Sequence, residues 1–320
     1  MRATHGLALA LVLGCSQVAP RTGHMERPPS SPPPSAAPPP TAAPPPPAAT
    51  ASPAPPPYDL AADRERIRVQ AQAELGDGTQ TALAQGVFVL VAAPGWNKTA
   101  LAASTDLTTR AIDAYYSGRF DKRPERAIGV YLFADAASYQ AYCKARLGGE
   151  CDSPFGMYHP DIKRIVMNAG PGLGTLTHEL VHPIVEADFP RAPIWLNEGI
   201  ASLFEAPVLP AKGEIHGIKN WRLPRLLEGM RAPAEQREAR LDVLFGMSDD
   251  KFRDAEEKLH YATARYVCQW LDQEGWLWPF YRDWRDHFAD DPTGEKTFAQ
   301  VTKMTPAQAN APWTRWARAL

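Results

Sequence analysis

Two histidines and a glutamate in one short stretch have the residue types and spacing of a metal site. Residues 177–202 read THELVHPIVEADFPRAPIWLNEGIAS, with His178 and His182 four residues apart and Glu179 directly after the first. Side chains four residues apart lie on one face of an α-helix, so both imidazoles can bind one cation at about 2.0–2.1 Å. Glu179 lies about 100° round the helix, beside such an ion rather than on it. This pattern predicts a metal centre with Glu179 as the base that takes a proton from a metal-bound water.

A third ligand would separate a metal site from an ordinary amphipathic helix, because HExxH arises by chance in about one in a hundred chains of this size. Glu186 continues the helical face, but ligands at i, i+4 and i+8 extend along about 12 Å and do not converge on one ion. Asp188 follows His182 by six positions, but Val185 stands where the turn back to the metal needs glycine. Glu198 lies on the next predicted helix, and a helix–turn–helix can return its carboxylate to the first helix. Glu198 is therefore favoured over Asp188.

The two halves of this stretch together resemble the active-site motif of a known group of enzymes. HELVH at 178–182 and WLNEGIAS at 195–202 are similar to the motifs of the gluzincin metallopeptidases, and above all to those of the M1 aminopeptidase family and its peptidase MA-like relatives. The close similarity covers residues 178–202. The resemblance implies a zincin-like fold and one bound Zn²⁺. It implies that the zinc ligands are His178, His182 and Glu198 and that Glu179 is the general base.

Members of this group also supply, from their helical half, a donor to the oxyanion of the transition state. Tyr261 fits that role by its position after Glu198, and His260 beside it is the alternative. Tyr261 would otherwise be a half-buried residue of an aromatic helical core. Ser202, four residues past Glu198, is either a packing residue or a group that steadies a ligand. The resemblance thus implies Glu179 and Tyr261 as the catalytic residues.

The activity that the resemblance implies is hydrolysis of peptide bonds in a peptide or protein substrate. The chain has no segment like the GAMEN motif, with which M1 enzymes grip a free substrate amine. An endopeptidase is therefore favoured over an aminopeptidase. Two other interpretations stay open: a hydrolase of cell-wall peptides, and a scaffold of the same fold that binds or assembles without catalysis. The presence of Glu179 favours an enzyme over the scaffold.

One residue inside the motif argues against a regular helix. Pro183 directly follows His182 and has no amide proton, so it cannot bond to the carbonyl of Glu179. Proline also disfavours the helical conformation of the residue before it. The helix is expected to kink or end at this point.

The order of the predicted elements sets the fold class. Strands and helices alternate before the motif, and a hairpin with strands at 155–158 and 162–167 precedes it. In zincins an extended substrate pairs with an edge strand above the active helix, and 155–158 stands where that strand is expected. After Glu205 the pattern is helical and rich in tryptophan, which predicts aromatic packing. We therefore predict an α+β, zincin-like fold: a small mixed N-terminal sheet with the active-site helix, then a mainly helical C-terminal subdomain. The remaining predicted elements are helices at 59–75, 99–116 and 136–147 and strands at 86–93 and 127–133.

The first 57 residues carry signals for export rather than for folding. A short apolar run after Arg2 ends at Gly14-Cys15, which is typical of a bacterial lipoprotein signal peptide (residues 1–15). Cleavage of a secretory signal near Ala19 is the alternative. Residues 16–57 are rich in Pro and Ala and predict an extended tether. The rest of the chain is predicted to comprise an α+β catalytic subdomain, 58–205, and a helical subdomain that completes the cleft, 206–320.

Charge and cysteine content limit the partners and the location. A net charge of −2 gives no basic excess, so nucleic acid is not an expected partner. No apolar run can span a bilayer as a mature helix, so membrane contact is expected only through the N-terminal lipid anchor. The predicted location is the bacterial cell envelope, as an exported outer-membrane lipoprotein. Disulfides survive there, and the spacing of Cys143 and Cys151 allows a local bridge without deciding whether it forms, whereas Cys268 is predicted to be a buried thiol.

Overall fold

Residues 57–320 are described by a computed structural model of this chain. The predicted signal peptide and, apart from Pro57, the predicted tether lie outside these residues. Helices and strands alternate up to Asn168, and the named elements from Leu176 onward are helices. This order confirms the α+β class that the sequence predicts.

The N-terminal helices begin and end at capping residues that are recognisable in the sequence. Helix α1 (Leu60–Leu75) starts where the Asp59 carboxylate accepts bonds from two backbone amides. It ends at Gly76, whose φ of 80° suits a residue without a side chain. Each predicted helix lies within one residue of the observed one. The other two are α2 (Lys98–Tyr115), capped by Asn97, and α3 (Ala136–Arg146), capped by Asp135.

One mixed sheet contains the five strands of the described residues, in the order β1-β2-β3-β5-β4. These strands are β1 (Gln80–Ala84), β2 (Phe88–Ala92), β3 (Ile128–Phe133), β4 (Gly156–His159) and β5 (Arg164–Asn168). The central strands β2, β3 and β5 run parallel, and β1 and β4 pair antiparallel at the two edges. The central strands are buried along their whole length, which explains their continuous apolar runs. Strand β1 was not predicted, because its partly exposed residues give no such run.

The predicted helix of the motif is divided into two pieces. Helix α4 (Leu176–Glu179) and helix α5 (Val181–Asp188) are joined by Leu180, whose φ of −66° and ψ of −22° are still helical. Pro183 is the physical reason, because it has no amide proton to donate to the carbonyl of Glu179. The interruption thus affects the hydrogen bonding more than the path of the backbone.

The helical part of the chain packs around a group of aromatic side chains. Trp284 and Trp313 are fully buried, and the ring of Trp284 stacks on Phe245 with centroids 6.2 Å apart. Trp221 is an exception to the predicted tryptophan core, since 57% of it is exposed. Asn220 and Arg222, the residues on either side of it, bond to the buried Glu205. The helices are α6 (Ile194–Leu203), α7 (Leu223–Gly229), α8 (Leu241–Phe245), α9 (Asp249–Phe252), α10 (Glu257–Gln273), α11 (Leu277–His287), α12 (Glu295–Thr302) and α13 (Pro306–Ala319).

Helix α6 packs closely along helix α10 at Gly199. A Cβ atom at Gly199 would lie 2.7 Å from Sγ of Cys268 and 2.9 Å from the carbonyl oxygen of Ala264. Tyr261, Ala264 and Cys268 follow one another at helical spacing on one face of α10. The same contact therefore brings Tyr261 towards Glu198, the residue before Gly199.

The structure settles the state of the three cysteines after the predicted signal peptide. Cys143 and Cys151 are joined by a disulfide that closes the loop after α3, and Cys268 is a buried free thiol. Between residues 57 and 320, no helix combines the length and the apolar character that a membrane-spanning helix requires.

Candidate metal centre

The structure brings His178, His182 and Glu198 together. One ligand atom from each of the three lies within 4.8 Å of the other two. Oε2 of Glu198 is 3.5 Å from Nε2 of His178 and 3.9 Å from Nε2 of His182. The two imidazole rings have centroids 4.9 Å apart and are inclined at 77° to each other. This buried group could hold a metal ion, since imidazoles and carboxylates are common ligands of divalent cations.

Three successive helices place these ligands. His178 is on α4, His182 is on α5, and both helices contact α6, which carries Glu198. The connection from Phe189 to Pro193 turns the chain back between α5 and α6. The interruption at Leu180 leaves the two imidazoles on the same side of the helix pair. A helix–turn–helix thus returns Glu198 to the first helix, as the spacing indicated.

The carboxylate of Glu198 gives the clearest indication that a cation fits. Its Oε2 is buried and has no hydrogen-bond partner among the described residues. Its Oε1 faces Nη2 of Arg253 at 3.3 Å. A buried acceptor without a partner costs about 1–3 kcal/mol, and more when it is charged. In the metal-free protein the charge of a protonated His178, 3.5 Å away, offsets part of that cost; a cation between Oε2 and the two imidazole nitrogens would take its place, so the residues present fit a divalent metal.

Each histidine has an acceptor at the ring nitrogen that faces away from Glu198. Nδ1 of His182 lies 3.0 Å from Oδ1 of Asn197. Nδ1 of His178 lies 3.4 Å from Oε1 of Glu205. The contact of His182 places that ring's proton on Nδ1 and leaves its Nε2 free to bind a metal, whereas Nδ1 of His178 forms no hydrogen bond to the described residues and has only the charge of Glu205 beside it.

Glu205 is a residue of this site that the sequence analysis missed. It is 2% exposed, and Arg222 holds both of its oxygens, with Nε 2.8 Å from Oε2 and Nη2 2.5 Å from Oε1. Nδ2 of Asn220 lies 3.2 Å from Oε2. The signal for Glu205 is its position seven residues, or about two helical turns, after Glu198. Arg222 and Asn220 come from the loop before α7 and could not be found by spacing.

The imidazoles and carboxylates of this group shift one another's pKa values. Burial disfavours a charged imidazole, but the three surrounding carboxylates, Glu198 foremost, outweigh burial and raise the pKa of His178 to about 9. Burial also disfavours the carboxylate of Glu198, but the two imidazoles and the Arg253 guanidinium lower its pKa to about 2. Without a metal, His178 is therefore protonated and Glu198 is ionised at neutral pH. A metal ion must displace the proton of His178 to bind.

Glu179 lies beside the group rather than within it. It is 5% exposed. Burial raises the pKa of its carboxyl group, the two imidazoles lower it, and the Glu198 and Glu205 carboxylates raise it again, so that the net shift is upward. A carboxylate with a raised pKa is suited to accept a proton from water and to donate it later.

Of the two candidate oxyanion donors, Tyr261 lies at the site and His260 does not. The Tyr261 hydroxyl is 3.5 Å from Nη1 of Arg253, and the Arg222 guanidinium lies 5.0 Å from the centre of its ring. Burial, together with the charge of Glu198, raises the pKa of Tyr261, so the phenol keeps its proton. His260 is fully buried, with Nδ1 3.0 Å from the carbonyl oxygen of Phe252.

The other candidate third ligands are bound elsewhere. Asp188 is fully buried, and its oxygens lie 2.9 and 3.0 Å from Nη1 of Arg285. Glu186 accepts a hydrogen bond of 2.6 Å from the Tyr158 hydroxyl and a second bond from Lys163. Both carboxylates therefore pair with side chains outside the group formed by His178, His182 and Glu198.

The hairpin and Ser202 are the two remaining features that the sequence linked to this site. Strand β4, the edge of the sheet, has β5 on one side only and contacts α4. This edge strand therefore adjoins the helix that carries His178. The hydroxyl of Ser202 is buried without a hydrogen-bond partner among the described residues, so Ser202 does not steady a metal ligand.

No protein-family model matches this chain, and a search of curated proteins finds no significant match.

Proposed function

We propose that this protein is a zinc metallopeptidase with a zincin-like fold, in which His178, His182 and Glu198 bind one Zn²⁺. The observation that carries the proposal is the buried, unpartnered Oε2 of Glu198, which faces the Nε2 atoms of both histidines. Two histidines and one glutamate are the protein ligands of a known class of catalytic zinc sites. When bound, Zn²⁺ lowers the pKa of water and polarises the carbonyl group of the scissile bond.

Glu179 is the general base in this proposal. Its carboxylate lies next to the imidazole pair on the same helical segment and is almost fully buried. It takes the proton from the attacking water and passes it to the leaving amine. The burial that raises the pKa of Glu179 favours the first transfer, because a more basic carboxylate takes a proton from water more readily.

Tyr261 is the proposed donor to the oxyanion. Its phenol keeps its proton and lies on the α10 face that packs against α6, next to Glu198. A hydrogen bond from a fixed donor to the developing oxyanion is worth about 3 kcal/mol of transition-state stabilisation. The peptide substrate pairs with the free edge of β4, which contacts α4.

The proposed substrate is a peptide or protein at the bacterial cell envelope, cleaved internally. The N-terminal signal and the Pro/Ala-rich tether of the sequence support an exported, lipid-anchored enzyme. The oxidised Cys143–Cys151 pair agrees with a compartment outside the cytoplasm.

The decisive experiment combines elemental analysis with one isosteric substitution. The purified protein should contain one zinc per chain, and His178→Ala should contain almost none. Glu179→Gln should keep the zinc and lose at least about 100-fold in the hydrolysis of casein or of a peptide library. Glu235→Gln makes the same change at a carboxylate paired with Arg225, on α7, and should keep both zinc and activity. A wild-type protein that binds zinc but cleaves no peptide would instead be a binding scaffold.

A further inference from the structure

One arginine touches both the third ligand and the proposed oxyanion donor. Nη2 of Arg253 lies 3.3 Å from Oε1 of Glu198, and its Nη1 lies 3.5 Å from the hydroxyl of Tyr261. These are the two ends of a single planar guanidinium group, whose donors have a fixed separation. Arg253 therefore sets the position of the Tyr261 phenol relative to the carboxylate of Glu198.

The contact with Arg253 also makes the two oxygens of Glu198 different. Oε1 faces the guanidinium, whereas Oε2 is buried without a partner and faces both histidines. A free carboxylate can bind a cation through one oxygen or through both. With Oε1 held by Arg253, only Oε2 is available to a metal.

Arg253 lies at the end of the short helix α9, and the buried His260 contacts the backbone of this helix end. Arg253 is the residue that ends α9, and its amide donates to the carbonyl of Asp249 at 3.2 Å. The carbonyl just before it, that of Phe252, lies 3.0 Å from Nδ1 of the buried His260. The Phe252 ring packs against Tyr261 with centroids 5.0 Å apart. His260 therefore acts on the site through the backbone that carries Arg253.

We propose that Arg253 is a positioning residue that makes Glu198 a one-oxygen metal ligand and fixes Tyr261 beside it. This inference rests on the proposed function, since it concerns the same metal and the same donor. The remaining partner of Arg253 is Glu257, whose Oε1 lies 3.6 Å from Nη1. The side chain of Arg253 is 52% exposed, so its contact with the 9% exposed Glu198 side chain reaches from the surface into the site.

The test uses protein in which Co²⁺ replaces the metal, because the visible absorption of Co²⁺ weakens as its coordination number rises. In Arg253→Gln, Oε1 of Glu198 is released and can also bind, so the absorption should weaken relative to wild type. The kcat for a peptide substrate should fall about 10-fold or more, with a smaller change in KM, because Tyr261 loses its fixed position. In Arg253→Lys a single ammonium can bind Oε1 of Glu198 but cannot bind the Tyr261 hydroxyl at the same time. The spectrum should therefore stay near that of wild type, whereas kcat should fall.

Arg240→Gln is the matched control. Arg240 is 49% exposed and paired with an acidic residue, Asp242, away from the metal group. Its spectrum and kcat should equal those of wild type. If Arg253→Gln has the wild-type spectrum and the wild-type kcat, the positioning role is wrong while the metallopeptidase proposal stands. If wild type binds no Co²⁺ and no Zn²⁺, both proposals are overturned. Should Arg253→Gln fail to fold, the wild-type spectrum and kcat in Arg253→Lys would count against the role.

Discussion

Nδ1 of His178 lies 3.4 Å from Oε1 of Glu205, while Nε2 of the same ring faces Oε2 of Glu198 at 3.5 Å. Each nitrogen of the His178 ring thus faces a different carboxylate. Arg222 contacts both oxygens of the Glu205 carboxylate. A carboxylate beside one ring nitrogen makes the imidazole a better metal ligand, because the other nitrogen becomes more basic.

Replacing Glu205 should therefore weaken metal binding although Glu205 is not a ligand. Glu205→Gln keeps an oxygen at this position, but it removes the negative charge and leaves the partly buried Arg222 without the counter-ion that contacts it here. We expect the zinc affinity to fall about 10- to 100-fold. Competition with a chromophoric chelator measures this, and thermal unfolding of the metal-free protein separates any loss of stability.

The matched control is a second His–Glu pair outside the site. Nε2 of His216 lies 3.8 Å from Oε2 of Glu214, and both side chains are more than half exposed. Glu214→Gln should leave the zinc affinity unchanged. Equal affinities for wild type and Glu205→Gln would show that Glu205 has no part in metal binding.

Metal affinity should rise with pH. The surrounding carboxylates raise the pKa of His178 to about 9, so the imidazole is protonated at neutral pH in the metal-free protein. A metal binds only the neutral ring, so one proton leaves for each ion bound at a pH below about 9. The apparent affinity should then increase about 10-fold per pH unit between roughly pH 6 and pH 8.5 and flatten above.

Chelator competition at several pH values measures the slope, and proton release on adding zinc at low buffer concentration gives the same quantity independently. In Glu205→Gln one of the carboxylates that raise the pKa of His178 is lost. The curve should flatten at a lower pH in that variant. An affinity that does not change between pH 6.5 and pH 8.5 would contradict a protonated His178.

The two carboxylates considered as third ligands should respond differently to substitution. Glu198→Gln replaces a charged oxygen of the proposed third ligand with a weakly binding one and should lower the zinc affinity at least about 100-fold. Asp188→Asn should leave the affinity near that of wild type. It should instead lower the free energy of unfolding by about 3 kcal/mol, because Asp188 is the buried counter-ion of Arg285.

Zinc titration and chemical denaturation of both variants measure these outcomes. The control for the loss of a charge alone is Asp290→Asn, which changes an exposed carboxylate in the loop before α12. A stable Asp188→Asn protein that has lost its zinc would restore Asp188 as the third ligand.

Gly199→Ala should disturb both stability and the site. The added Cβ would meet the carbonyl oxygen of Ala264 and the sulfur of Cys268 at distances below 3 Å, so α6 and α10 must move apart. Such overpacking costs about 1–3 kcal/mol. Because Glu198 precedes Gly199, the zinc affinity should fall as well.

The control is Gly246→Ala, at the end of α8, where a Cβ would meet no atom within 4 Å and φ is −94°. Its Tm and its zinc affinity should stay within error of wild type. A Gly199→Ala protein with wild-type Tm would mean that the α6–α10 contact can relax without cost.

The sequence by itself determined the local features of this protein. Caps such as Asp59 and Gly76 gave the helix ends, and continuous apolar runs gave the central strands, because these depend on neighbours in the chain. The same holds for the shared face of His178 and His182, which follows from 3.6 residues per turn. It holds too for the interruption at Leu180, which follows from the missing amide proton of Pro183.

Only the tertiary structure decided which distant groups meet these residues. Three carboxylates each accept a hydrogen bond from an arginine: Asp188 from Arg285, Glu205 from Arg222, and Glu198 from Arg253. Each arginine lies at least 17 residues further along the chain than its carboxylate. The approach of α10 to α6 likewise depends on the space left by Gly199. Such contacts depend on how helices pack, which residue spacing within one helix does not encode.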